Sequence, residues 1–73
     1  MQSYKDTDND SNIEAYEYDE NSITIRFKDN SEYEYIGDSV SFYVLNQMKA
    51  LADAGDGLNA FINENRPPYS SKR

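Results

Sequence analysis

The apolar residues of this chain change their spacing at Gly37, from every second residue to every third and fourth. Between Ser22 and Lys28 apolar and polar side chains alternate, which is typical of a strand with one buried face. From Val40 to Leu51 the apolar residues recur at the spacing of one helical face. Strands grouped before helices predict an α+β domain.

Three strands are predicted before Gly37, over about residues 13–18, 22–28 and 32–36. The turns between them are short and carry asparagine, so neighbouring strands must run antiparallel as a meander. The first strand needs a bulge near Ala15 for its large apolar residues to share a face. These residues are Ile13, Tyr16 and Tyr18.

Two helices are predicted after the strands. The first has Asp38 or Ser39 as its N-cap and Gly55 as its stop. The second spans about residues 58–65 and ends before Pro67, because proline cannot donate the helical hydrogen bond. The predicted buried face of the first helix consists of Val40, Tyr43, Val44, Gln47, Met48 and Leu51.

The predicted fold is therefore a three-stranded antiparallel β-meander followed by two α-helices packed on one face. Residues 1–11 are polar and acidic and predict a flexible tail, whereas residues 70–73 predict a frayed C-terminus. The domain proper is placed at residues 12–69. Its predicted core is Ile13, Ile23, Ile25, Phe27, Tyr33, Tyr35, Val40, Val44, Met48, Leu51, Leu58, Phe61 and Ile62.

Neither cysteine nor histidine occurs among the 73 residues, which excludes disulfides, zinc fingers, haem ligation and histidine-based catalysis. The net charge of −7 disfavours generic nucleic-acid binding, because such binding depends on lysine and arginine releasing counterions. Residues 1–38 carry eleven acidic and three basic side chains, so the negative charge is concentrated in the predicted strands and the N-terminal tail. No segment is long and apolar enough for a membrane span or a secretion signal, and we expect a cytoplasmic protein.

Catalysis is not expected from the residue types present. Glu32 and Glu34 point to the same side of a predicted strand, and paired carboxylates do serve as general acids and bases. On an exposed strand such residues are ordinarily solvated, and so small a domain offers little pocket to shift their pKa values. We therefore predict no catalytic residue, no cofactor and no resident metal.

The acidic tail contains a partial match to a calcium-binding loop. Its five positions are Asp6, Asp8, Asp10, Ile13 and Glu17. Ser11 replaces the glycine that makes the sharp turn of such loops, and Glu17 belongs to the first predicted strand. A solvated tail is the preferred interpretation.

Four tyrosines occupy neighbouring predicted strands: Tyr16, Tyr18, Tyr33 and Tyr35. Aromatic rings on a sheet can stack unpaired bases, provided that lysine or arginine flanks them. Here the flanking residues are mostly glutamate. Packing of the rings beneath the helices is therefore the preferred interpretation.

An ordered series of short motifs runs along residues 11–69. In the strand half they are Ser11-Asn12-Ile13, Tyr18-Asp19, Phe27 and Tyr33-Glu34-Tyr35. In the helical half they are Gly55, Leu58-Asn59, Ile62 and Tyr69. The series resembles the KTSC domain, a small domain of bacterial and phage proteins that also occurs at the end of some lysyl-tRNA synthetases. The resemblance implies a small α+β domain without an established activity, for which RNA binding has been suggested.

The function predicted from these observations is that of a small acidic, non-enzymatic interaction module, such as a phage-type accessory or inhibitor, that binds a protein partner. Its predicted surface is an acidic sheet face and strand edge that comprises Glu32, Tyr33, Glu34 and Tyr35. The alternative is an RNA-contacting module that uses Arg26, Lys28 and the tyrosines. The predicted state is a monomer or a weak homo-oligomer, because a small sheet exposes its edges.

Overall fold

The computed structural model describes residues 1–7 and 11–73, which form an antiparallel sheet packed against two helices. The elements in chain order are β1 (Gln2–Ser3), β2 (Ile13–Asp19), β3 (Ser22–Phe27), β4 (Glu32–Ile36), α1 (Phe42–Ala54), α2 (Leu58–Asn65) and β5 (Ser71–Lys72). The five strands lie in sequence order across the sheet. The α+β class is confirmed, but the prediction of three strands is wrong.

The central meander of β2, β3 and β4 follows the predicted pattern. Ile13 pairs with Phe27 and Ala15 with Arg26, so one residue is inserted between the two pairs as a β-bulge. The bulge brings Ile13 and Tyr16 to the same buried face, as the sequence predicts. The bulge therefore keeps the large apolar side chains of β2 on one face, although apolar and polar residues do not alternate regularly along this strand.

Each edge of the sheet carries a short strand. The sequence predicts a flexible tail and a frayed C-terminus at these two places. Gln2 of β1 pairs with Tyr16, and Lys72 of β5 pairs with Tyr33. Tyr4 follows β1 and is only 7% exposed, and its hydroxyl accepts a 3.3 Å hydrogen bond from the Leu58 amide. Backbone hydrogen bonds hold the terminal segments against the outer edges of β2 and β4. No apolar pattern in the sequence predicts this pairing.

Helix α1 starts later than predicted, and its buried face is only partly the predicted one. Its N-cap is Ser41 instead of Asp38 or Ser39, and the Ser41 hydroxyl accepts a 3.3 Å hydrogen bond from the Val44 amide. Ser39, a predicted N-cap, and Val40, predicted on the helical face, instead donate their amides to the Ile36 carbonyl in a turn that precedes the helix. The buried residues of α1 are Leu45, Met48 and Ala52.

The predicted helical face is therefore wrong in part, since Tyr43 is 72% exposed. The small Ala52 side chain lies on the buried face, where it permits close approach of the helix to its neighbours. Gly55 ends α1 in the left-handed conformation, as predicted. Helix α2 has the predicted bounds and is capped by Arg66, directly before Pro67.

The core lies between the sheet and the helices. Its buried apolar residues are Tyr4, Ile13, Ala15, Tyr16, Ile23, Ile25, Tyr35, Val40, Leu45, Met48, Ala52 and Leu58. Six predicted core residues are instead only partly buried against this cluster: Phe27, Tyr33, Val44, Leu51, Phe61 and Ile62. No helix within residues 1–7 and 11–73 is long and apolar enough to cross a membrane.

Candidate functional site

The predicted binding residues of β4 lie on opposite faces of the sheet, because successive side chains of a strand alternate. Tyr33 and Tyr35 belong to the face that packs against the helices, and Tyr35 is part of the core. Glu32 lies on the other face, opposite Arg26 of β3. Moreover, β4 is not an edge strand, since β5 pairs with it. The residues predicted as one surface therefore belong to two.

Glu32 is held between two guanidinium groups. Arg26 donates to its Oε2 from Nε at 3.1 Å and from Nη2 at 2.9 Å, and Arg73 donates to Oε1 at 3.2 Å. The hydrogen bonds from Arg26, and next those from Arg73, lower the pKa of Glu32 below its ordinary value. On the same face the N-terminal amine lies 3.8 Å from Glu17. Two carboxylates of this face thus have cationic partners of their own.

A groove opens on the side of the sheet that faces the helices, where α2 ends near the turn between β3 and β4. Its volume is about 1070 Å³. The sheet and its turns contribute Asn12, Phe27, Lys28, Asp29, Ser31, Tyr33 and Tyr35. Helix α2 and the segment after it contribute Ile62, Asn63, Arg66, Pro67, Pro68 and Tyr69. We call this feature the aromatic groove.

Three aromatic side chains pack edge to face along the aromatic groove. The ring centroids of Tyr33 and Tyr69 are 4.7 Å apart, and those of Tyr33 and Phe27 are 5.3 Å apart. The Lys72 ammonium lies 5.1 Å from the centroid of the Tyr33 ring, so one face of this ring already has a cation on it. Tyr69 is 50% exposed and supplies the accessible part of the aromatic wall.

Tyr35 lies deeper in the aromatic groove and is only 2% exposed. Burial, and next the charges of Tyr33 and Tyr69, raise its pKa to about 12. Its hydroxyl therefore remains a hydrogen-bond donor at neutral pH.

Three charged side chains line the aromatic groove, and their surroundings differ. The Asp29 carboxylate accepts hydrogen bonds from the hydroxyl and the amide of Ser31, which lower its pKa. The Lys28 ammonium lies 3.4 Å from Oδ2 of Asp6. Within the part of the chain that the structure describes, Arg66 has no carboxylate at ion-pair distance.

Three of the six predicted binding residues therefore line the aromatic groove, namely Lys28, Tyr33 and Tyr35. The other three, Arg26, Glu32 and Glu34, do not. The sequence does not predict the part of the groove that follows Ile62, because the pair Pro67-Pro68 indicates only the end of a helix. The arginine directly before them is the signal that sequence reasoning could have used, since proline restricts the backbone of the preceding residue.

The partial calcium loop depends on Asp8 and Asp10, which lie outside the described residues. Its other members include Ile13 and Glu17, which are part of strand β2. Within residues 1–7 and 11–73 no three acidic side chains lie close enough together to hold a metal ion.

The chain has no match among family models, curated proteins or solved structures. Its function is therefore argued from the geometry and the charges of the aromatic groove.

Proposed function

We propose that the protein is a small non-enzymatic interaction module, and that an extended segment of a protein partner binds in the aromatic groove. The observation that carries the proposal is the exposed aromatic wall of a groove of about 1070 Å³ in a chain of 73 residues. Small-molecule pockets cover roughly 300 to 1,000 Å³, so the groove suits a chain segment of several residues. Half-exposed tyrosines are frequent energetic centres of protein interfaces.

The charged groups of the aromatic groove support binding over catalysis. A general acid or base needs a pKa near the working pH. The hydrogen bonds from Ser31 move the pKa of Asp29 in the opposite direction, further below neutral pH. The groove thus offers apolar surface and fixed charge without an activated nucleophile.

RNA binding is the alternative, and several contacts weigh against it. Arg26 pairs with Glu32 on the face of the sheet opposite the aromatic groove. The ammonium of Lys72 lies over Tyr33, where a base would have to stack. The net charge of −7 repels a phosphate backbone at long range. The membership in the KTSC family remains a hypothesis based on the motif series, and so do the cytoplasmic location and the monomeric or weakly oligomeric state.

A random peptide library displayed on phage, selected against the immobilised full chain, tests this proposal. We expect enriched peptides that shift the amide resonances of Tyr33, Ile62 and Tyr69 in NMR spectra. Tyr69→Ala should abolish this binding, because it removes the exposed part of the aromatic wall. Tyr43→Ala is the matched control, since Tyr43 is also exposed but does not line the groove.

Three outcomes would contradict the proposal. One is a selection without enriched peptides, and another is binding that Tyr69→Ala leaves unchanged. The third is retention of single-stranded RNA at low salt and its release as salt rises, with Lys28→Gln weakening it, which would support the RNA alternative.

A further inference from the structure

Arg66 caps the C-terminal end of helix α2 and lines the aromatic groove. Its backbone is left-handed, with φ 45° and ψ 55°, and its amide donates a hydrogen bond to the Ile62 carbonyl at the end of α2. Pro67 follows directly and is buried. The side chain of Arg66 is exposed and lines the wall of the groove.

Arg66 differs from Lys28, the other basic side chain that lines the aromatic groove, in having no carboxylate partner among the described residues. The protein has fourteen acidic and seven basic side chains, so a carboxylate partner would be easy to supply. Arg26 and Arg73 share Glu32, and Lys28 lies beside Asp6. Among residues 1–7 and 11–73 no carboxylate lies within ion-pair distance of Arg66. A planar guanidinium is suited to bind a carboxylate through paired hydrogen bonds.

A second, independent observation comes from Tyr35, deeper in the same groove. Its side chain is 98% buried, and its hydroxyl forms no hydrogen bond with a residue that the structure describes. The hydroxyl oxygen is not sealed from solvent either. A bound molecule can therefore reach this hydroxyl and, by offering an acceptor, replace the solvent as its hydrogen-bond partner.

We propose that the partner segment bound in the aromatic groove carries a single carboxylate next to an apolar side chain. The Arg66 guanidinium binds the carboxylate, and the apolar side chain packs against the rings of Tyr33 and Tyr69. The Tyr35 hydroxyl donates to an acceptor of the same segment. This inference rests on the proposed function of the groove and specifies the chemistry of the partner.

The charge of the whole chain limits how acidic the partner can be. Arg66 attracts a carboxylate at contact distance, whereas the net charge of −7 repels negative charge beyond it. A segment with one carboxylate gains the contact and loses little to repulsion. A run of several carboxylates places most of its charge outside the groove, so we expect it to bind more weakly.

Selection of the random peptide library against the wild type, Arg66→Gln and Lys49→Gln tests the inference. We expect the wild type to enrich peptides with one aspartate or glutamate beside an apolar residue, and Arg66→Gln to lose that preference. Lys49→Gln removes the same charge at the opposite end of the sheet, where Lys49 contacts the turn between β2 and β3, and should keep the preference. Thermal unfolding of each variant establishes that it is folded.

Fluorescence anisotropy then measures the affinity of one selected peptide and of its glutamine counterpart. The glutamine peptide should bind the wild type about fivefold more weakly, as expected for loss of one partly exposed ion pair. Arg66→Gln should bind both peptides equally. Tyr35→Phe should weaken both to a similar extent, because it removes a hydroxyl and keeps the ring.

The outcomes separate the inference from the proposed function. If peptides bind the groove without a carboxylate preference, or Arg66→Gln keeps that preference, the inference is wrong and the proposed function stands. If no peptide binds the groove, both are wrong. Stronger binding of a peptide with several consecutive glutamates would also overturn the inference of a single carboxylate.

Discussion

The Tyr16 hydroxyl donates a 2.8 Å hydrogen bond to Oδ1 of Asp53 and so joins strand β2 to helix α1 across 37 positions of the chain. Tyr18 donates a second bond of 2.6 Å to Oδ2 of the same carboxylate. The bonds from Tyr18, and next that from Tyr16, lower the pKa of Asp53. Burial, and next the hydrogen bond to Asp53, raise the pKa of Tyr16 to about 12. The carboxylate thus fixes how α1 lies on the sheet.

Asp53→Ala should lower the free energy of unfolding by about 1 to 2 kcal/mol, because the buried Tyr16 hydroxyl loses its acceptor. Urea denaturation followed by circular dichroism measures the change. Asp38→Ala is the matched control, since Asp38 is an exposed carboxylate before α1, and it should change stability by less than about 0.5 kcal/mol. Equal losses in the two variants would contradict the docking role of Asp53.

Acidification should destabilise the protein partly through Glu32. Its folded-state pKa lies below the ordinary 4.5, so its bonds to Arg26 and Arg73 contribute fully above that pH. Their contribution is lost as the pH falls through the lower folded-state value. Glu32→Gln should therefore flatten the fall in melting temperature below about pH 5. Glu34→Gln, two residues along the strand, should keep the wild-type slope, and a slope equally flattened there would refute this account.

Gly55 should be less tolerant of a side chain than Gly57. Both are left-handed, so alanine at either position costs about 1 to 2 kcal/mol in backbone strain. At Gly55 an added Cβ would also collide with the Cβ of Lys5, whereas at Gly57 the nearest atom is a Leu51 methyl at 3.6 Å.

Gly55→Ala should therefore lose about 1 kcal/mol more than Gly57→Ala in urea denaturation. It should also shift the amide resonances around Lys5, which packs against the end of α1. Equal losses and an unshifted N-terminal segment would show that this segment does not pack against Gly55 in solution.

Deletion of residues 70–73 should promote self-association. The segment is bonded to β4, since the Glu32 amide donates to the Arg73 carbonyl and the Ser70 amide to the Glu34 carbonyl. Its removal exposes the edge of β4 to pairing with a second copy. Sedimentation velocity at several concentrations should show a larger species for the deletion. Arg73→Ala removes the ion pair with Glu32 and keeps the strand, so it should not increase association; an equal increase there would contradict the edge explanation.

The sequence predicted the elements whose residues repeat with a clear period. The alternation around Ile25 located β3, and the proline pair and the apolar face of Leu58 located α2 with the observed bounds. The bulge near Ala15 was also predictable, because only an inserted residue brings Ile13 and Tyr16 to one face. In these cases the local pattern and the tertiary packing require the same conformation.

The candidate site was predicted only in part. Lys28, Tyr33 and Tyr35 were identified as binding residues and do line the aromatic groove. Glu32 was assigned to the same surface because it is adjacent in sequence, although alternation places it on the other face. Arg66 was overlooked, since its importance depends on what surrounds it in space.

The sequence by itself determined the order of strands and helices, the bulge and the two helix stops, since these follow from local periodicity and backbone chemistry. Only the tertiary structure decided which face of α1 is buried and where the terminal strands pair. A two-residue strand has no period to detect, and a helix with apolar residues on several sides is oriented by the surface it meets. The aromatic groove likewise exists only once α2 and the C-terminal segment lie beside β4, because its walls come from distant parts of the chain.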